Sequence, residues 1–117
     1  MQELFGQLDD LTDQLMEELS VCRTSGCRYA ENEAEYRKAL RTAILEERAK
    51  GTPVTITSDL CRGRPEIAEL KRLRDCSEAI YKASQEAINV YKLRIRMTDA
   101  QITRIWNSGD TTQGGYL

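Results

Sequence analysis

The stretch PEIAELKRLRDCSEAIYKASQEAINVYKLRIRMTDAQITRIWNS, residues 65–108, decides the fold. After Pro65, which suits the first turn of a helix, it holds neither Gly nor Pro. Ile67, Tyr81, Ile88, Ile95 and Ile102 fall on one seven-residue row, interrupted only by Arg74. Leu73, Ile80 and Ala87 flank that row on one side. On the other side Leu70, Tyr91 and Ile105 alternate with Ser77, Ser84 and Thr98. Those small hydroxyl residues either let a partner helix approach closely or mark the edge of the apolar stripe. The pattern predicts one helix of roughly 40 residues and 60 Å. Thr98-Asp99-Ala100-Gln101 resembles a capping box, but the apolar phase runs through it and favours continuity.

Upstream, residues 2–50 also read as helix. Leu8, Leu15, Cys22, Tyr29, Tyr36 and Ala43 recur every seventh residue. Leu4 and Leu11 begin a companion row that Leu19 and Leu40 take over one position later, the drift of a straight helix against a seven-residue grid. Thr24-Ser25-Gly26 groups poor helix formers and is the weak point of the segment. Gly51-Thr52-Pro53 stops this helix. The alternating β-branched run Val54-Thr55-Ile56-Thr57 predicts extended backbone, as irregular loop or exposed edge, followed by a short turn capped by Ser58.

The expected fold is therefore all-α, a long antiparallel helical hairpin of coiled-coil type. Its expected parts are an acidic N-terminal arm at residues 1–26, a hairpin at 27–108 with its loop at 51–64, and a flexible tail at 109–117. Two helices cover only part of each other's apolar stripe, while ordering costs more than about 1 kcal/mol per residue. Self-association into a homo-oligomeric bundle is the expected solution.

Composition narrows the function. The chain has 117 residues, 31% of them charged and 40% apolar, which allows one domain without a large core. No apolar run is long enough to span a bilayer, and the N-terminus lacks a signal-peptide core, so the expected compartment is the cytoplasm, with four reduced cysteines. Histidine is absent, which removes the commonest general base and metal ligand. No phosphate-binding glycine loop or partnered nucleophile is present. No catalytic residue, cofactor site or metal site is assigned. Cys22 and Cys27 stand as far apart as a zinc knuckle allows, and Cys61 and Cys76 form no second knuckle, so structural roles are favoured.

Net charge is −2, unevenly placed: residues 1–20 carry six acidic residues and no Lys or Arg. That arm either suits a helix N-terminus or mimics nucleic acid on a mildly basic body. Arg62, Arg64, Lys71, Arg72 and Arg74 cluster at the start of the last helix and are candidate phosphate contacts, as are Lys92, Arg94, Arg96 and Arg104 near its end. The tyrosines fit the buried row better than a base-stacking platform. Trp106 is a candidate partner contact, or caps the bundle end.

The run from Gly63-Arg64-Pro65-Glu66-Ile67-Ala68-Glu69-Leu70 through Asp75-Cys76-Ser77-Glu78-Ala79-Ile80-Tyr81 and on to Trp106, with Gly51-Thr52-Pro53-Val54-Thr55 upstream, resembles small helical proteins encoded by prophages of Gram-positive bacteria, mostly uncharacterised. The resemblance covers roughly residues 29–107. The layout is also similar to that of phage recombination mediators, which oligomerise, bind single-stranded DNA and help load a recombinase. That likeness implies a non-catalytic accessory protein for replication or recombination, whose partners are copies of itself, single-stranded DNA or a recombination protein. The other expectation is a protein–protein adaptor or assembly factor that docks through the hairpin.

Overall fold

The computed structural model describes the backbone of residues 1–114 and the side chains of residues 1–109. Three helices follow in order: α1 (Gln2–Ala49), α2 (Val54–Arg62) and α3 (Pro65–Gly114). No strand occurs among the described residues. The fold is all-α, and α1 and α3 pack antiparallel as a hairpin. α1 passes Gly26 and α3 passes Thr98 without a break. The helix also continues past Gly109, where the sequence predicts a tail; residues 115–117 of that tail lie outside the described residues.

The turn after α1 follows from Gly51, whose φ of +86° suits a residue without a Cβ. Thr52 N–H then reaches back to the Glu47 carbonyl at 3.2 Å and Gly51 N–H to that of Arg48 at 3.1 Å, which satisfies carbonyls the helix end leaves open.

The expected extended run at Val54–Thr57 is instead the first half of α2, a correction to the loop at 51–64. Pro53 precedes the helix and offers no side-chain cap. The Thr57 hydroxyl donates to the Pro53 carbonyl at 2.7 Å, and this ties down the first turn. Helix geometry places Thr57 and Cys61 on one face, and both are buried. Their burial outweighs the local preference of β-branched residues for extended backbone.

The chain divides into two compact units. Unit 2 spans Cys22–Ala83. Its core is Tyr36, Ala43, Cys61 and Ile67, with Ala39, Leu40, Ile44 and Leu70 packed around them. Contacts from α1 to α3 step from Gly26 on Tyr81, through Asn32 on Ser77, to Tyr36 under Arg74, as an antiparallel pair requires.

Unit 1 spans Met1–Val21 with α3 from Ser84 onward. Leu11 and Ile88 are its buried apolar residues, and Ser84 and Thr98 are buried beside them. The Ser84 hydroxyl donates to Glu18 Oε1 at 2.7 Å.

Two sequence expectations resolve here. Ser77, Ser84 and Thr98 lie buried within the helix–helix seam, so they serve close approach and do not mark its edge. Of the two residues expected to take over the companion row on α1, Leu40 packs against the core, whereas Leu19 is 39% exposed. Between Leu11 and Leu40 the row keeps the seven-residue grid through Glu18, Ser25 and Asn32, all at least partly buried. Polar residues are tolerated in the seam where α3 supplies partners, as Ser84 does for Glu18 and Ser77 for Asn32.

Candidate functional site

The basic group at the start of α3 is largely engaged within the chain. Arg64 is the second residue of the two-residue turn between α2 and α3, which brings its guanidinium back to the end of α1. Its Nη1 donates to Glu46 Oε2 at 2.9 Å and its Nη2 to Glu47 Oε1 at 2.6 Å. Its side chain is 22% exposed. Glu46 and then Glu47 push the Arg64 pKa up, and Arg64, with Thr52 behind it, holds the Glu47 carboxyl below its usual value. This clasp closes the end of the hairpin in unit 2.

Arg72 makes a two-pronged contact to Glu69 one turn earlier, at 2.5 and 2.9 Å. Lys71 reaches Asp75 at 3.1 Å. Arg74 is bound to Asp75 and lies 4.6 Å above the Tyr36 ring, a cation–π contact. Asp75, held by Arg74 first and Lys71 second, has its carboxyl pushed below the usual range. Of the five candidate phosphate contacts, Arg62 alone has no carboxylate within 4 Å among the described residues. An arginine in a two-pronged bond must give it up before it can hold a phosphate.

The later group differs. Lys92, Arg94, Arg96 and Arg104, all in unit 1, are exposed and carry no ion pair among the described residues. Arg94 lines a groove of about 320 Å³ in unit 1, facing Gln7, Asp10 and Gln14 of α1 across the buried Leu11 and Thr98. Trp106 is 64% exposed among the described residues.

Tyr29, Tyr36, Tyr81 and Tyr91 are all at least partly buried. Tyr29 and Tyr81 stack with centroids 6.2 Å apart, and Tyr36 is buried. The four cysteines are dispersed: Cys61 is in the core of unit 2, Cys22 is half-buried, and Cys27 and Cys76 are exposed. No group of three His, Cys, Asp or Glu residues that could hold a metal occurs among the described residues. No helix among them is long and apolar enough to cross a membrane.

The flank of the main row, which the sequence marks at Leu73, Ile80 and Ala87, is an exposed apolar stripe and not part of the seam. In unit 2 it is Leu73, Cys76, Ile80 and Ala83, all exposed. In unit 1 it is Ala87, Val90, Leu93 and Met97, all exposed except the half-buried Ala87. The spacing of three and four residues is as legible as that of the main row, but Ala and Cys give it little hydropathy. On α2, Val54, Ile56 and Leu60 are likewise exposed. No protein family, curated protein or solved structure matches this chain.

Proposed function

We propose that this chain is a non-catalytic docking protein of the cytoplasm, an adaptor or assembly factor that works by helix-to-helix contact. The observation that carries this reading is the exposed stripe on α3, with Ile80 56% and Val90 51% open to solvent. Isolated exposed hydrophobics are ordinary, but a row at heptad spacing is what a helical partner covers. The test uses tagged wild-type chain and an Ile80→Lys/Val90→Lys variant in nuclease-treated extract. Proteins captured by the wild type and lost by the variant support docking. An identical set captured by both removes it.

A second reading is an oligomeric accessory protein in phage-type replication or recombination that binds single-stranded DNA. Lys92, Arg94, Arg96 and Arg104, which have no ion pair among the described residues, favour it over the engaged group at Arg64–Arg74. Labelled single-stranded DNA at low salt tests it by anisotropy. Binding that weakens steeply with salt, and weakens further in Arg94→Ala/Arg96→Ala, supports it. No binding at low salt eliminates it.

A further inference from the structure

The groove of unit 1 lies wholly within that unit, and polar side chains converge on it. Asp10 stands between Gln7 and Gln14 on the α1 wall, and Arg94 and Gln101 stand on the α3 wall. None of these five has a hydrogen bond or an ion pair among the described residues. Elsewhere the chain pairs such groups, as Arg64 with Glu46 and Glu47, or Arg37 with Glu33. Asp10 and Arg94 share one groove and stay apart.

Thr98 gives a second, independent sign. Thr12, Thr42 and Thr103 each return their hydroxyl to the carbonyl four residues earlier, the usual bond of a helical threonine. Thr98 does not. It is only 6% exposed, yet its hydroxyl has no hydrogen-bond partner among the described residues. No unpartnered side-chain oxygen among them is sealed from solvent, so this hydroxyl opens on the groove that Thr98 lines. A polar group in that position costs stability until something in the groove bonds it.

The two charges select the ligand. A simple anion would meet the field of Asp10, and a polyamine would meet that of Arg94. A molecule with both charges a few bonds apart avoids either conflict. Its carboxylate takes a two-pronged bond from the guanidinium, and its ammonium donates to the Asp10 carboxylate. Glutamine amides both donate and accept, so Gln7, Gln14 and Gln101 suit further polar atoms, while Leu11 and Met97 offer an apolar floor. The volume of about 320 Å³ holds a small ligand. Among the described residues no aromatic ring lines the groove, which leaves a flat nucleobase without a stacking face.

We infer that this groove binds a free α-amino acid, held by its carboxylate on Arg94 and by its ammonium on Asp10, with Thr98 bonding it from the floor. Neither Asp10 nor Arg94 belongs to the exposed stripe, so the inference stands apart from the docking reading. Asp10→Asn separates it from the DNA reading, because losing that carboxylate weakens amino-acid binding but not a phosphate contact at Arg94.

The test is isothermal titration calorimetry of the full chain against the standard set of free amino acids at low ionic strength. At least one binds with a dissociation constant on the order of a millimolar or tighter. Its N-acetyl and carboxamide derivatives, which each lack one charge, bind at least about tenfold more weakly. Arg94→Gln and Asp10→Asn each cost about tenfold or more, with circular dichroism unchanged. Thr98→Val costs about fivefold in affinity while the urea midpoint holds or rises, a combination that a purely structural threonine would not give. No binding of any amino acid up to about 10 mM would overturn the inference. So would derivatives that bind as tightly as the parent, or affinity that survives both Arg94→Gln and Asp10→Asn.

Discussion

Gly26 lies against the ring of Tyr81, so close that a methyl group placed on it would stand 3.0 Å from Cε1 and 3.3 Å from Cζ. The ring is stacked on Tyr29, which limits its retreat. Alanine would gain about 1 kcal/mol of helix propensity, while crowding a packed contact costs about 1–3 kcal/mol. Gly26→Ala is therefore expected to lose about 1 kcal/mol in urea unfolding. In a Tyr81→Ala background the same change is expected to stabilise by up to about 1 kcal/mol. Stabilisation in the wild-type background would show that the ring yields freely.

That pair also shows what a sequence does and does not disclose. The two long helices were legible because Ile and Leu repeat at intervals that only a helix brings to one face. Gly26 read as a weak point because propensity is local, whereas its role depends on a ring far along the chain. Val54–Thr57 read as extended for the same reason, since the burial of Thr57 and Cys61 that turns it helical is a tertiary effect. Glu18, Ser25 and Asn32 are invisible to a search for apolar periodicity. Their place in the seam follows only from α3. The basic cluster was visible as charge, but the carboxylates that occupy Arg64 lie 17 and 18 residues away on another helix.

Asn32 offers a test of the polar seam. Its Nδ2 donates to Ser77 Oγ at 3.2 Å and approaches the Leu73 carbonyl at 3.4 Å. Asn32→Ala removes both contacts and is expected to cost about 1 kcal/mol in chemical denaturation. The Asn32→Ala/Ser77→Ala double variant should lose less than the two single changes together, because they share a bond. Strict additivity would mean that the two side chains do not interact.

Acid should destabilise the protein in a way that Arg64 controls. Arg64 and Thr52 hold the Glu47 carboxyl below its usual value, and Arg72, Arg37 and Arg74 do the same for Glu69, Glu33 and Asp75. A carboxyl whose folded pKa is depressed adds stability that is present above its unfolded pKa. That stability is lost as pH falls through the folded value. The urea midpoint should thus be flat near neutrality and fall below the ordinary carboxylate range. Arg64→Met should make that fall shallower. An unchanged acid slope in the variant would separate the Glu47 shift from Arg64.

Thiol accessibility reports on α2. Cys27 and Cys76 are exposed, Cys22 is half-buried and Cys61 is fully buried on the inner face of α2. With an alkylating reagent followed by peptide mass spectrometry, Cys27 and Cys76 should react first, Cys22 later and Cys61 only through local opening. The Thr57 hydroxyl bond to the Pro53 carbonyl ties down the first turn of α2, so Thr57→Val removes that tie at nearly constant volume. Its loss should raise the Cys61 rate by roughly five- to tenfold, the equivalent of about 1 kcal/mol of opening free energy, and leave Cys27 unchanged. Because Cys61 sits with Tyr36, Ala43 and Ile67 in the core of unit 2, equal rates at Cys61 and Cys27 in the wild type would mean that α2 is not docked on that core.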